Sequence, residues 1–184
     1  MPYREPMKRI ISSALLASVL LAACGATVAL PELNASGDNI TVSQLPSGVD
    51  AVVKRVVDGD TIVVGSNEKV RLIGVDTPET VKLDTPVQCF GPEASNFTKV
   101  VLPKGTKVRL AFDAERTDKY QRTLAYVFRS SDLLFINATL VRGGYARTLR
   151  IKPNTEFANA FDELQKRAKD ASDGLWGQCP ATSN

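Results

Sequence analysis

The chain has 184 residues with 23 basic and 20 acidic side chains, a formal net charge of +3, and no histidine. The missing imidazole excludes histidine-ligated zinc sites, Ser-His-Asp triads and histidine-based nucleases and phospholipases, so any chemistry rests on carboxylates, arginine, lysine, tyrosine or a metal. A near-balanced charge argues against capture of a polyanion by the whole surface and leaves local clusters as the place where phosphate would bind.

At the N-terminus Met7-Lys8-Arg9 is a basic start, Ile10 to Ala23 is uncharged, and Leu21-Ala22-Ala23-Cys24 ends the run with small residues before a cysteine. Residues 1–23 read as a targeting peptide, too short to cross a bilayer comfortably, which takes about 20 apolar residues. The tetrapeptide resembles a bacterial lipoprotein signal. That implies cleavage before Cys24, lipid on its sulfur, and an exported protein anchored to the membrane of the cell envelope; an ordinary secretory peptide or short anchor is the alternative. Residues 1–23 hold Arg4, Lys8 and Arg9 against Glu5, so the rest carries 20 basic and 19 acidic residues, a net +1. Assigning Cys24 to lipid leaves Cys89 and Cys179 as one disulfide candidate in an oxidising compartment. Bonded, they would close a loop of about 90 residues and contribute a few kcal/mol; two free thiols fit the spacing as well.

Residues 24–48 are rich in Ser, Asn, Gly and Pro without apolar periodicity and read as a flexible tether with a coil dimension of about 25–30 Å. Residues 49–180 have the length of a single domain. Strands are expected over 49–57, 60–65, 69–75, 106–112 and 123–128, where β-branched and aromatic residues are bounded by Gly, Asp, Asn or Lys. Helices are expected over 92–102, 133–142 and 155–170; the last puts Phe157, Ala160, Phe161, Leu164 and Ala168 on one face, as core. The expected fold class is α+β: a five-stranded Greek-key β-barrel of the OB-fold type with about three covering α-helices, although composition alone fits other α+β folds too.

Three charged segments run through this domain: Val57-Asp58-Gly59-Asp60-Thr61, the stretch from Arg71 to Thr80, and Arg116-Thr117-Asp118-Lys119-Tyr120-Gln121-Arg122. They supply hard oxygen ligands for a cation, a carboxylate to activate water and guanidiniums for a phosphate, the equipment of a metal-dependent phosphodiesterase. If residues 65–69 form the turn of a hairpin centred near 67, Asp60 falls opposite residues 74–76, about 5 Å away. Asp60 and Asp76 then converge and repel unless a cation separates them, with the carbonyl of Thr77, restricted by Pro78, as a third ligand. Arg71 and Asp76 are an odd number of residues apart and would face opposite sides of a flat strand, so a bulge or twist is required near Gly74. Singly, each segment has a plainer reading: a turn at Asp58-Gly59, a strand stop at Asp76-Thr77-Pro78, a solvated loop from Arg116 to Arg122.

Asp58-Gly59-Asp60-Thr61, Arg71 through Thr80, Gly91-Pro92-Glu93-Ala94-Ser95, Thr117-Asp118-Lys119-Tyr120 with Arg122-Thr123-Leu124-Ala125-Tyr126, Ala138 through Gly144 and Lys152-Pro153-Asn154 occur in an order that closely resembles the staphylococcal nuclease (thermonuclease) family over about residues 50–176. The resemblance implies the barrel, calcium (Ca2+) dependence, and hydrolysis of phosphodiester bonds in DNA and RNA with little sequence preference. It also implies Asp60 and Asp76 as calcium carboxylates with Thr77, Glu79 as the group that orients or deprotonates water, Arg71 and Arg122 as the phosphate clamp, and Lys119 and Tyr120 as nucleotide contacts. One departure stands out. The family's type member has two tyrosines just before Lys-Pro-Asn, where this chain reads Thr148-Leu149-Arg150-Ile151. Tyr145 and Arg150 are candidate substitutes, Tyr145 equally reading as packed core. A monomer is expected, and the alternative function is a catalytically inactive OB-type module binding single-stranded nucleic acid.

Overall fold

Short β-branched runs separated by Gly, Asn and Asp turns can each cross a small core only once, so the sheet must be built from many short strands. The computed structural model describes residues 33–80 and 86–179. Its strands are β1 (Leu33–Ser36), β2 (Asn39–Val42), β3 (Val49–Val56), β4 (Thr61–Val64), β5 (Glu68–Leu72), β6 (Val75–Asp76), β7 (Lys107–Ala111), β8 (Thr123–Arg129), β9 (Leu134–Phe135) and β10 (Arg147–Thr148). The helices are α1 (Gly91–Val101), α2 (Ile136–Arg142), α3 (Ala158–Ala171) and α4 (Leu175–Gln178).

β3, β4 and β5 form an antiparallel meander, β5 pairs in parallel with β8, and β7 pairs with both β8 and β3. That circuit closes a five-stranded barrel, so none of the five leaves an edge open to aggregation. Its core is strongly aromatic. Phe128 stacks on Phe135 with centroids 4.3 Å apart, and the Tyr126 ring meets Phe157 edge-on at 4.7 Å. Phe157 and Phe161 are buried, as the apolar face of the third expected helix requires.

Three expectations need correction. The tether expected over 24–48 does not extend through its second half: β1 and β2 form a hairpin whose Ile40 and Val42 are buried, and Thr41 pairs with Leu134. This short apolar alternation has no signal of its own because its partner lies about 90 residues away. Second, the start of the helix expected at 133 is a strand, since Leu134 and Phe135 pair with Arg129 and Phe128. Third, the hairpin register is tighter than expected. Thr61 lies opposite Arg71, and the Leu72 N–H donates to the Asp60 carbonyl at 2.9 Å, so Asp60 faces Leu72 rather than residues 74–76.

Cys89 and Cys179 are bonded, with Cα atoms 5.9 Å apart. Replacing both by serine is expected to cost about 2–4 kcal/mol through restored freedom of the unfolded chain. The check is the urea midpoint of each protein under oxidising conditions; equal midpoints would mean that other interactions of the loop already constrain it. The targeting peptide of residues 1–23, lipidation of Cys24 and the first part of the tether lie outside the described residues. Among the described residues no helix is long and apolar enough to cross a membrane.

Candidate active site

The Asp58-Gly59 turn is welded to the segment after β6. Asp58 Oδ1 accepts the Asp60 N–H at 3.1 Å, the local side-chain-to-backbone bond that favours Asp in turns. A Cβ on Gly59 would lie 2.6 Å from the Thr77 side chain, so only glycine allows this approach. From α1, the Thr98 hydroxyl donates to the Gly59 carbonyl at 2.8 Å. Asp60 is thereby pressed into the protein, 6% exposed. Its Oδ1 accepts Thr61 Oγ1 and Arg71 Nε, each at 3.1 Å, and its Oδ2 accepts the Thr77 N–H at 2.9 Å and the Thr77 hydroxyl at 3.0 Å.

Asp76 reaches the same place by a turn. Gly74 has φ +78, and a Cβ there would stand 2.6 Å from the Phe161 ring, so conformation and packing both demand glycine. Buried Asn137 fastens this turn to α2 by donating to the Ile73 carbonyl at 2.8 Å. The chain folds back over Arg71, whose Nη2 donates to Asp76 Oδ1 at 3.1 Å while Nη1 donates to the carbonyls of Leu72 at 2.9 Å and Val75 at 2.7 Å. The expected break near Gly74 is this turn, and it puts one guanidinium between the two aspartates. Arg71 is 12% exposed at its side chain and Asp76 is 56% exposed, so the pair has a dry end and a wet end.

Arg122 arrives from a second turn. Asp118 Oδ1 accepts the N–H groups of Tyr120 and Arg122, each at 2.9 Å, and its Oδ2 accepts Arg122 Nε at 2.7 Å. Burial pushes the Asp118 carboxyl up, but the hydrogen bonds from Arg122 and Tyr120 outweigh it and hold the group below the usual carboxylate range. The exposed Tyr120 ring carries Lys119 at 5.1 Å and Arg122 at 5.5 Å from its centroid. Glu79 Oε1 accepts the Thr80 N–H at 2.9 Å.

Asp58, Asp60, Arg71, Asp76, Thr77, Glu79 and Arg122 line one polar cavity of about 200 Å³. A second cavity of about 430 Å³ shares Arg71 and Arg122 with it and adds Lys119, Tyr120, Leu124, Leu149 and Ile151. All six residues expected to serve chemistry or a metal thus meet in one place, with both expected nucleotide contacts in the adjoining groove. Tyr145 is elsewhere, stacked on Phe97 with centroids 4.1 Å apart, and Arg150 pairs with Asp162 at 2.7 Å; the groove wall at this position is Leu149 and Ile151. Asp58 reads in the sequence only as a turn residue, yet it is a third aspartate in the polar cavity. Asp118, the support of Arg122, is not marked by its sequence, because an i,i+4 ion pair is a signal on a helix and these two residues lie in a turn.

Four carboxylates in one small cavity repel each other. Burial, then the negative charge of Asp60, pushes the Asp58 carboxyl up to about 6, and burial followed by Asp60 also raises Asp76 against the pull of Arg71 and Arg147. Among the described residues no three metal-ligating side chains form a ready-made cage. The donor chemistry nevertheless fits a hard divalent cation, because Asp60 and Asp76 offer only oxygen ligands, Asp76 is accessible, and the arginines present leave the Asp58 and Asp76 carboxyls raised. A raised Asp binds its proton more tightly in the folded state. Without a cation, its ionisation therefore destabilises the fold progressively as pH rises from about 4 to about 6. In chelator, Asp58→Asn, which keeps the acceptor for Asp60, is expected to gain stability over the parent across that interval. Denaturant titration at a series of pH values checks this, and a constant gap would contradict it.

A family model described as staphylococcal nuclease homologue matches residues 69–178. The thermonuclease of Staphylococcus intermedius is 40% identical over 92% of this chain and 99% of its own length. The thermonuclease of Staphylococcus hyicus is 45% identical over 67% of this chain and 73% of its own, and endonuclease YncB of Bacillus subtilis (strain 168) is 34% identical over 97% and 96%.

Proposed function

The chain belongs to the staphylococcal nuclease family and is a phosphodiesterase, and from that premise we propose that it is a calcium-dependent nuclease, cleaving DNA and RNA with little sequence preference from a position on the cell envelope. The observation that carries this reading is the meeting of Asp60, Asp76 and Glu79 with Arg71 and Arg122 around one cavity that opens beside a groove.

Asp60 and Asp76 would hold the calcium ion, with the Thr77 carbonyl as a further oxygen. When bound, calcium polarises a phosphoryl oxygen and lowers the cost of forming hydroxide nearby. Arg122 would present paired donors to the oxygens of the scissile phosphate and Arg71 the remaining N–H of its Nη2, its other donors being held by Asp60, Asp76 and the Leu72 and Val75 carbonyls, and both stay charged as negative charge builds on the phosphate. Glu79 orients or deprotonates the attacking water from the same cavity. Asp118 holds the Arg122 guanidinium in place, so little reorganisation is needed at the moment of reaction.

The groove supports weak base discrimination. Leu124, Leu149 and Ile151 offer apolar contact but no hydrogen-bond code for base edges, while Lys119 and Tyr120 would hold phosphate and sugar. Unpaired, flexible strands suit such a groove, which favours single-stranded or locally frayed substrate. Export agrees with the Cys89–Cys179 bond, since such bonds persist in oxidising compartments. Membrane anchoring rests on lipid at Cys24, and the domain would act as a monomer. The deciding experiment is release of acid-soluble nucleotides from DNA and RNA by the purified protein with and without calcium. Retention on single-stranded DNA without cleavage would instead support a binding module.

A further inference from the structure

Glu79 is held by Gln88, nine positions further along the chain. Its N–H donates to Gln88 Oε1 at 2.9 Å, and its carbonyl accepts the Gln88 N–H at 3.0 Å. Gln88 in turn is anchored on its far side. It adjoins Cys89, whose disulfide to Cys179 ties it to the end of α4, and its carbonyl accepts the Gly91 N–H at 3.0 Å where α1 begins. α4 is itself fixed, with Leu175 buried and its N–H donating to the Gly144 carbonyl at 2.9 Å. A continuous set of bonds therefore runs from the C-terminal helix through the disulfide to the main chain of Glu79.

We propose that Gln88, braced by the Cys89–Cys179 disulfide, is a positioning residue that sets the aim of the Glu79 carboxylate. The inference rests on the nuclease reading above. Gln88 and Cys89 are exposed and line neither cavity, so neither touches substrate. Arg71 and Arg122 hang on other segments with their own partners, and loss of the brace leaves the phosphate clamp intact. What changes is the accuracy with which Glu79 meets water, and misplacement of a reacting group slows a reaction without weakening substrate binding. A brace acting this way lowers kcat and spares KM.

The test uses the full, oxidised chain with calcium and single-stranded DNA, in parental form and as Gln88→Ala, Gln88→Glu and Cys89→Ser/Cys179→Ser. Two quantities are read: kcat and KM, and hydrogen exchange of the Glu79 amide. Gln88→Ala is expected to lower kcat about tenfold, as for loss of one orienting bond, with KM within about twofold and a faster-exchanging Glu79 amide. Gln88→Glu keeps an acceptor oxygen and restores both readouts. The double cysteine variant loses kcat similarly while still unfolding cooperatively. The proposal is overturned by Gln88→Ala with parental kcat, by KM rising in step with the loss, or by Gln88→Glu as impaired as Gln88→Ala. A parent with a protected Glu79 amide and no hydrolysis overturns the nuclease reading and with it the catalytic consequence. An active parent with an unprotected Glu79 amide overturns the brace alone.

Discussion

Arg122→Ala is expected to lower the rate of DNA hydrolysis by about 10²-fold or more, the usual cost of removing one preorganised donor to developing charge. The fold should persist, because Arg122 is part-exposed and its partner Asp118 keeps the backbone N–H groups of Tyr120 and Arg122. Arg122→Lys should recover little, since an ammonium cannot present the planar fork of a guanidinium. Arg71→Ala should behave differently. It removes the cation facing the buried Asp60 carboxylate and leaves it only its Thr61 and Thr77 donors, so activity and stability fall together, the latter by an amount on the order of 3 kcal/mol for a buried charge that loses its ionic partner. Steady-state rates beside urea midpoints separate the two arginines. Parental turnover in Arg122→Ala would remove it from the clamp, and an unchanged midpoint in Arg71→Ala would mean that water reaches Asp60 readily.

Excess chelator is expected to reduce hydrolysis to background, with full recovery when calcium is returned. The carboxylates of Asp58, Asp60, Asp76 and Glu79 share one cavity with only two arginines, and a divalent ion would relieve repulsion that burial strengthens. The same ion should stabilise the fold, by about 2.7 kcal/mol at a hundred times its dissociation constant. Asp76→Ala offers a clean control. Asp76 is half-exposed, so its loss should spare the fold while abolishing the calcium-dependent rise in melting temperature. Undiminished hydrolysis in chelator would strip Asp60 and Asp76 of their assigned role, and a calcium-induced rise that survives in Asp76→Ala would place the ion elsewhere.

Much of the site is readable in the sequence because its chemistry is carried by residue identity within short segments. Hairpin pairing draws attention to Asp60 and Asp76, while Arg71, Glu79 and Arg122 take their roles from the resemblance of their segments to the nuclease family. Their spacing does not reveal how they meet. The hairpin register differs from the one expected, and Asp76 comes to Arg71 through the left-handed turn at Gly74 rather than across a ladder. Local patterning also conceals the β1–β2 hairpin, whose few apolar residues acquire meaning only against β9 and α2. The Ile40 N–H, for instance, finds its acceptor at Thr139 Oγ1, far along the chain. Asp118 and Gln88 are hidden for a related reason, because each acts through a bond to another functional residue.

By itself the amino-acid sequence determined the strand-forming runs, the aromatic helix face and the inventory of carboxylates and guanidiniums, because side-chain period and functional-group chemistry are properties of neighbouring residues. Tertiary structure alone decided that Arg71 lies between two aspartates, that Arg122 leans on Asp118, that Leu149 and Ile151 wall the groove while Tyr145 is packed against Phe97, and that Cys89 meets Cys179. These are distances across space. They are set when β5 and β8 pair in parallel and β7 closes the ring, events in which residues far apart in the chain become neighbours through packing that no local pattern encodes.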